Sequence, residues 1–303
     1  EGEVDAEGLG AARAPQDPPG PTRRKRRGPP EADGSDSDSD VEVEAPYTLT
    51  AVGHSLGGAC LLIHLVLRRL QGLPHRVSRL VLLTPAGFHH LKLARAARVC
   101  MLFHPFIGRA IYKYCPGIYI PTKYLRWLIK KVLVDIQSFP PIKALANQMI
   151  QHSLLGGDSS DWARAFQAPH YVGSSMPGIS YQILMHLMQT THARRFRLFD
   201  GGREHNMKQY GTAEPLDIGA HYRLIDVPVD LIAGKGDGII PSENVLVHFN
   251  MLRSAGREVT FKELDYGHLD FTMSGNAELR HYIMACLRKS TPKRRPGGRV
   301  DNP

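Results

Sequence analysis

The sequence has few cysteines and no long apolar run. Its four cysteines, Cys60, Cys100, Cys115 and Cys286, show neither the spacing of a zinc site nor the density of a disulfide framework. The apolar runs are shorter than the roughly 20 residues that span a bilayer. The first 20 residues also lack the apolar core of a signal peptide. We therefore expect neither a transmembrane helix nor a signal peptide in this chain, and the compartment stays open.

Motifs for metal, cofactor and nucleic-acid binding are missing as well. The 15 histidines include no His-Glu-x-x-His pair. We therefore expect no metal and no cofactor. The basic run RRKRR at 23–27 is not accompanied by a zinc-finger, helix-turn-helix, RRM or KH pattern. Nucleic acid is accordingly not among the expected partners.

The net charge of +9 is distributed unevenly over the 303 residues. Residues 1–44 hold 6 basic and 12 acidic side chains, whereas residues 288–303 hold 6 basic side chains against Asp301. The middle of the chain is the most basic part, because residues 88–155 carry 10 Lys or Arg against Asp135 alone. Any electrostatic attraction to an anionic partner is therefore expected to come from this middle section.

Composition predicts five consecutive parts. The first is a Pro/Gly-rich and acidic segment that cannot bury enough apolar surface to fold, and the last is a basic tail. The predicted parts are residues 1–45 (disordered), 46–87 (first half of the core), 88–205 (helical cap), 206–288 (second half of the core) and 289–303 (disordered tail).

From Pro46 onward, apolar strands alternate with amphipathic helices. Before the cap, YTLTAVG and VSRLVLL read as strands around the helical pattern GGACLLIHLVLRRLQG. After the cap, VPVDLIAG and VTFKELD read as strands around SENVLVHFNMLRSAG, a helix expected to open at Ser242. Such alternation predicts an α/β fold, a mostly parallel sheet covered by helices on both faces.

A serine occupies the junction between the first strand and the first helix. The pattern Gly53-His54-Ser55-Leu56-Gly57 is typical of a nucleophile elbow, where a strained turn raises the hydroxyl above the sheet. At such an elbow the backbone amide of Leu56 points towards a developing oxyanion, at the positive end of the helix dipole. Ser55 is therefore the predicted nucleophile.

A serine nucleophile needs a base and a carboxylate, which on this sheet follow in the order Ser, Asp or Glu, His. Asp237 lies in the loop after VPVDLIAG, and His268 lies in the loop after VTFKELD. We predict Asp237 as the acid and His268 as the base. Asp265 remains a rival acid. The other candidates fit less well because of their positions in strands, on helices or on the elbow itself; they are Asp226, Asp230, His54 and His248.

Five segments in this order resemble the acid lipase group of α/β-hydrolases, which includes gastric and lysosomal lipases and sterol esterases. The segments are GHSLGG, FRLFDGG, NMKQYG, YRLIDVPVDLIAGKGD and GHLDF, between Tyr47 and Phe271. The resemblance implies an α/β-hydrolase fold with a helical cap, and hydrolysis of triacylglycerols, sterol esters or similar lipids. It also implies catalytic roles for Ser55, Asp237 and His268.

Two features depart from that group. It more often has glutamine where Leu56 stands, a change that should be tolerated because only the amide is needed. Its second oxyanion donor comes from an upstream His-Gly loop, and residues 1–46 contain no histidine. We therefore expect the core to be truncated at its N-terminal side, as the C-terminal part of a longer lipase. The strand YTLTAVG should then leave an apolar sheet edge open.

The cap contains a basic amphipathic helix in TKYLRWLIKKVLVDI. Its apolar residues recur on one helical face, and they are Leu125, Leu128, Ile129, Val132, Leu133 and Ile136. A lid resting on an anionic membrane or lipid-droplet surface and a cap helix packed on the core both fit this pattern.

Together these features predict a serine ester hydrolase that acts on a lipid ester. An acyltransferase with the same triad stays open, because the triad does not decide which molecule accepts the acyl group. A non-catalytic, lipid-binding homologue is the alternative outside the enzymes, given the absent second oxyanion donor.

Overall fold

The described residues of this computed structural model are 49–89, 114–115, 117, 119–120, 122–153, 155–161, 178–275 and 277–289. The predictions for residues 1–45 and for the tail beyond 289 fall outside them, as do residues 90–113 and 162–177 of the predicted cap. By its internal contacts the chain divides into Glu1–Ala45 and Pro46–Pro303, and every described residue belongs to the second unit.

Four parallel strands form the main sheet. The described strands are β1 (Leu49–His54), β2 (Val77–Leu83), β3 (Tyr119–Ile120), β4 (Ile179–Ser180), β5 (Val229–Gly234) and β6 (Val259–Leu264). The main sheet has the order β1-β2-β5-β6, with every neighbouring pair parallel. The short strands β3 and β4 form a separate antiparallel pair.

Helices connect these strands and cover them. They are α1 (Leu56–Leu70), α2 (Lys123–Gln137), α3 (Pro140–Ser153), α4 (Tyr181–Ala193), α5 (Arg203–Tyr210), α6 (Ser242–Ser254), α7 (Asp270–Met273) and α8 (Ala277–Arg288), with a 3₁₀ helix at Gly219–Leu224. Among the helices that the structure describes, none combines the length and apolarity needed to cross a membrane. Helix α6 begins at Ser242 as expected, but the Ser242 hydroxyl donates to Glu263 on β6 and does not cap the helix.

Side chains alternate between the two faces of β2, and each face has its own apolar core. Leu80 and Leu82 pack in the larger cluster, which includes Leu62 of α1 and Leu252 of α6. Val81 and Leu83 pack in the second cluster, whose other members include Leu264, Phe271 and Leu279. Because both faces of β2 are buried, its residues 80–83 form a continuous apolar run, as is usual for parallel sheets. The predicted α/β class, a mostly parallel sheet flanked by helices, is thereby confirmed.

Strand β1 lies at one edge of the described sheet. Its pairing partner is β2, and the side chains of Leu49 and Val52 are 50% and 44% exposed. Among the described residues, no strand pairs with the other side of β1, which agrees with the edge position that the sequence predicts for YTLTAVG.

The segment FRLFDGG ends in a turn before α5, and this turn is hydrogen-bonded to Asn206, the first residue of NMKQYG, within α5. Asp200 Oδ1 accepts from Gly202 N at 2.9 Å and from Asn206 Nδ2 at 2.8 Å, and Asn206 Oδ1 accepts from Gly201 N at 3.1 Å. Asn206 is 1% exposed, so this buried amide is satisfied by the turn it stabilises. These two segments of the resemblance therefore have a structural role.

Candidate active site

Ser55 alone forms the turn between β1 and α1. Its φ of 53° and ψ of −122° lie in a region that non-glycine residues rarely adopt. The backbone around it is fixed on both sides: Ser55 N donates to Leu83 O at 3.0 Å, and Ser55 O accepts from Gly58 N and Ala86 N, each at 3.0 Å. Hydrogen bonds to β2 and to the loop behind it therefore hold the strained turn.

The glycines around Ser55 have unequal roles. A Cβ at Gly53 would lie 2.7 Å from Leu61 Cδ1, and a Cβ at Gly58 would lie 2.8 Å from Pro85 Cβ. A Cβ at Gly57 would meet no atom within 4 Å. Of the two glycines in the motif, only Gly53 relieves a clash, and the second close approach falls after the motif, at Gly58.

The His268 imidazole lies between Ser55 and Asp237. His268 Nε2 is 3.0 Å from Ser55 Oγ, and His268 Nδ1 is 2.8 Å from Asp237 Oδ2. Both His268 and Asp237 are almost fully buried, at 5% and 4% exposed. The structure therefore brings the three predicted side chains into one hydrogen-bonded row.

The Asp237 carboxylate accepts hydrogen bonds at both of its oxygens. Oδ1 accepts from the amides of Ile239 at 2.9 Å and Ile240 at 2.7 Å. Oδ2 accepts from the Thr84 hydroxyl at 2.6 Å and faces His268 Nδ1. Since an ionised carboxylate only accepts, the Nδ1 atom must carry the proton, which leaves Nε2 of a neutral imidazole free to accept from Ser55.

Thr84 is a site residue that sequence reasoning missed. It follows β2 directly, is completely buried and has a φ of 41°, unusual for a β-branched residue. Its hydroxyl also approaches Ile240 O at 3.3 Å. Its position at the carboxyl end of a buried strand was the available signal, but a threonine there does not by itself indicate which carboxylate it binds.

The other acidic candidates are engaged elsewhere. Asp265, the rival acid, is 83% exposed at its side chain and pairs with Lys235 at 2.8 Å. Asp226 pairs with Arg69 and, at 2.9 Å, with His75. Asp230 is buried on β5 in a network with Arg79, Thr260 and Lys289.

The other two histidine candidates occupy different environments. His54 Nε2 contacts the backbone oxygen of His268 at 3.0 Å, and the two rings are 4.8 Å apart between centroids. Burial, followed by the charge of His268, lowers the pKa of His54 below its ordinary value. His248 is fully buried, and its Nδ1 lies 2.6 Å from the Tyr222 hydroxyl. His54 therefore contacts the predicted base itself, whereas His248 packs in the core.

Leu56 supplies the first amide of α1. The helix runs from Leu56 to Leu70, so this amide lies at the positive end of a 15-residue helix. An anionic oxygen next to Ser55 Oγ would meet that end of the dipole. The described residues contain no group of three or more His, Cys, Asp or Glu side chains placed to hold a metal ion.

Sequence comparison finds one informative relative. No family model matches the chain. The chain is 25% identical over 230 residues to the lipase lipl-1 of Caenorhabditis elegans, across 74% of this chain and 54% of the relative. The chain thus spans about half the length of that curated relative. This similarity confirms the resemblance to lipases that the motifs indicate.

The chain also shows similarity to solved structures. A monoacylglycerol lipase of Paleococcus ferrophilus has 16% identity and a TM-score of 0.45, over 80% of this chain and 70% of that one. An esterase of Pyrococcus furiosus has 13% identity and a TM-score of 0.34, over 81% and 55% of the two chains. An α/β fold family hydrolase of Bacillus anthracis has 13% identity and a TM-score of 0.33, over 79% and 66%.

Proposed function

We propose that this chain is the catalytic part of a serine ester hydrolase that cleaves carboxylic esters of lipids through an acyl-enzyme on Ser55. The observation that carries the proposal is the row Ser55 Oγ, His268 Nε2, His268 Nδ1, Asp237 Oδ2, with separations of 3.0 and 2.8 Å between the partners. The similarity to a lipase supports lipid esters as the substrate class.

Acylation begins when Ser55 Oγ attacks the carbonyl carbon of the ester and transfers its proton to His268 Nε2. The Asp237 carboxylate stabilises the imidazolium that forms, through the bond to Nδ1. The tetrahedral oxyanion lies against the Leu56 amide. When this intermediate collapses, the alcohol leaves with the proton from His268, and the acyl group stays on Ser55.

Deacylation repeats these steps with water as the nucleophile. Water gives a proton to His268 Nε2 and attacks the acyl carbon, and Ser55 leaves with that proton as the carboxylic acid forms. An alcohol in place of water would make the same chain an acyltransferase. The similarity to a lipase favours water.

Contact with a lipid surface is the finer part of the proposal, and it rests on α2 and α3. Large apolar side chains of these helices are exposed, among them Tyr124 at 84%, Trp127 at 65%, Leu145 at 60% and Met149 at 61%. The apolar stripe predicted for α2 is itself exposed at Leu125, Leu128 and Val132. These three positions of the stripe are therefore not covered by the described part of the chain, whereas Ile129 and Ile136 are partly buried.

The charges around these helices suit an anionic surface. Five residues of the two helices are Lys or Arg, and they are Lys123, Arg126, Lys130 and Lys131 of α2 and Lys143 of α3. The one acidic residue of these helices, Asp135, pairs with Lys131 at 2.9 Å. Exposed aromatic and aliphatic side chains flanked by lysine and arginine are typical of helices that lie in the interface of anionic lipid.

Turnover of a short-chain and a long-chain ester tests the proposed reaction. Wild type should release free acid with water as acceptor, and Ser55→Ala should abolish the release while the protein remains folded. Asp237→Asn should lower kcat by about 10⁴. Transfer to an added alcohol in preference to water would indicate the acyltransferase, and inactive but folded wild type would indicate the non-catalytic homologue.

Co-sedimentation with vesicles tests the lipid surface. Wild type should bind phosphatidylserine-containing vesicles more strongly than pure phosphatidylcholine vesicles, and Trp127→Ser with Leu145→Ser should lose that binding. Leu246→Ser, a 40% exposed leucine on α6, is the matched control and should bind like wild type. Equal binding by all variants would contradict the assignment of this surface to lipid.

A further inference from the structure

Residues 155–161, a short segment after α3, lie against two loops, the one that carries Asp237 and the one that carries His268. Asp158, in this segment, is completely buried. Its Oδ2 accepts from Gly238 N at 3.0 Å and from His268 N at 2.8 Å. Gly238 directly follows Asp237, so a single carboxylate oxygen binds the backbone of the acid loop and the backbone of the base itself.

The neighbours of Asp158 extend this connection. Ser159 N donates to Gly236 O at 2.9 Å, and Ser160 Oγ accepts from Leu269 N at 2.8 Å. The second oxygen, Asp158 Oδ1, accepts from Ser160 N at 3.0 Å, which fixes the carboxylate within its own turn. The segment is therefore hydrogen-bonded on one side to the Asp237 loop and on the other to the His268 loop.

Glycines allow the backbones to approach this closely. A Cβ at Gly238 would lie 2.4 Å from Asp158 N, and a Cβ at Gly267 would lie 2.3 Å from Ser160 N. A Cβ at Gly156 would lie 2.4 Å from Gly238 O. These contacts are with backbone atoms, which cannot turn aside as a flexible side chain can. The three glycines therefore mark a closely packed joint between the segment and the two loops.

We propose that Asp158 is a positioning residue of the triad. By binding Gly238 N and His268 N together, it holds the two loops at the separation that places His268 between Asp237 and Ser55. It acts through the backbone, since its carboxylate binds the amides of Gly238 and His268. This inference rests on the proposed function for its catalytic consequence, whereas the loop geometry can be measured without any substrate.

The position of the bonded amide explains why Asp158 should matter for rate. The His268 amide belongs to the same residue as the imidazole, so a shift of that backbone moves Nε2 relative to Ser55 Oγ. A misplacement of about 1 Å lowers the rate of a positioned reaction by about 10²-fold. Removal of the Asp158 carboxylate should therefore reduce kcat with little change in KM, since its bonds to Gly238 N and His268 N act on the geometry of the triad and not on the binding of substrate.

Asp158→Ala and Asp158→Asn are the test variants, with Asp161→Asn as control. Asp161 is an exposed carboxylate of the same segment, so its substitution makes the same charge change and keeps the Asp158 carboxylate that binds Gly238 N and His268 N. We expect kcat to fall about 10- to 100-fold in Asp158→Ala. The fall should be smaller in Asp158→Asn, whose amide oxygen still accepts, and absent in Asp161→Asn. KM should change less than 3-fold throughout, as an order-of-magnitude bound on an indirect effect.

A spectroscopic readout separates this inference from the proposed function. The proton of His268 Nδ1, bonded to Asp237, should give a downfield proton NMR signal in wild type that broadens or disappears in Asp158→Ala. If wild type shows the signal but no ester turnover, the proposed function fails, and the signal in the variant still decides the positioning role. A folded Asp158→Ala protein with wild-type signal and wild-type kcat would overturn the inference. If Asp158→Ala does not fold, Asp158→Asn and Ser160→Ala give the same two readouts.

Discussion

The hydroxyl of Thr84 donates to Asp237 Oδ2 at 2.6 Å, the same oxygen that faces His268 Nδ1 at 2.8 Å. The Thr84 hydroxyl reaches this oxygen from the residue after β2, and His268 Nδ1 reaches it from the loop after β6. Thr84 thus helps to fix the carboxylate that orients the proposed base. It does so from a strained backbone position, with a φ of 41°.

Replacement of Thr84 by valine should therefore weaken the triad while the shape of the side chain is kept. A hydrogen bond to a charged group contributes about 1.5–3 kcal/mol, so we expect a loss of about that size in the free energy of unfolding, together with a lower kcat. Thr84→Ser keeps the hydroxyl and serves as the control. Chemical denaturation and steady-state kinetics check both variants, and a valine variant equal to the serine variant would remove Thr84 from the site.

Alanine at Gly57 and at Gly58 should have opposite effects, although the two positions are adjacent. Gly58 is buried, and a Cβ at this position would lie 2.8 Å from Pro85 Cβ. Gly58→Ala should therefore destabilise the protein by about 1–3 kcal/mol through overpacking. Gly57 faces open space within α1, so Gly57→Ala should be neutral or stabilising by up to about 1 kcal/mol. Thermal unfolding followed by circular dichroism measures the two changes. A lower Tm for Gly57→Ala than for Gly58→Ala would contradict the elbow geometry.

Protonation of His54 should make stability depend on pH. Its pKa is lowered in the folded state, chiefly by burial, so the unfolded chain binds a proton more readily. The associated stability is fully present above the ordinary histidine pKa of about 6.5 and is lost as pH falls through the lowered value. His54→Gln should reduce the decline in unfolding free energy between about pH 7.5 and 5.

The control for this measurement is His64→Gln, which changes a solvent-exposed histidine of α1. Urea titrations at several pH values should give His64→Gln the slope of wild type. A slope for His54→Gln that is as steep as that of wild type would show that His54 does not contribute to the decline.

The buried network on β5 should contribute to stability and leave the chemistry unaffected. Asp230 accepts from Arg79 Nε at 2.7 Å, Thr260 Oγ1 at 2.7 Å and Lys289 Nζ at 2.9 Å. Burial raises the pKa of Asp230, but these three donors outweigh it and keep the pKa below its ordinary value. Asp230→Ala leaves Arg79 buried without this partner and should cost about 3–5 kcal/mol.

The control is Lys235→Ala, which removes the exposed ion pair between Lys235 and Asp265. Denaturation midpoints compare the stability that this variant and Asp230→Ala lose. The exposed pair should contribute about 0–1 kcal/mol. Equal losses in the two variants would contradict the difference in burial. At a temperature where Asp230→Ala is folded, its kcat should match that of wild type.

Most of the core was predictable from the sequence because it depends on local patterns. Ser55 follows a strand and precedes a helix, whereas Asp237 and His268 follow strands, and parallel strands bring such positions to one edge of the sheet. The α/β class follows from the alternation of strands and helices. The choice of Asp237 over Asp265 also agrees with the geometry, since Asp265 faces solvent.

The parts that sequence reasoning missed depend on contacts between distant residues. Thr84 lies 153 residues from Asp237, and Asp158 lies 110 residues from His268. Neither residue belongs to a local motif. Asp158 binds backbone amides, and Thr84 binds the Asp237 carboxylate, which also accepts from two backbone amides. The stripe on α2 shows a different limit, because its period predicts which residues share a face and does not predict what covers that face.

The central claim is that Ser55 is a nucleophile activated by His268, and active-site labelling tests it most directly. A fluorophosphonate probe should modify wild type, with the adduct located by peptide mass spectrometry on Ser55. Ser55→Ala should not react, and His268→Gln should react slower by a factor of about 10³ or more. A folded wild-type protein that is not labelled, or an adduct on any other serine, would contradict the account.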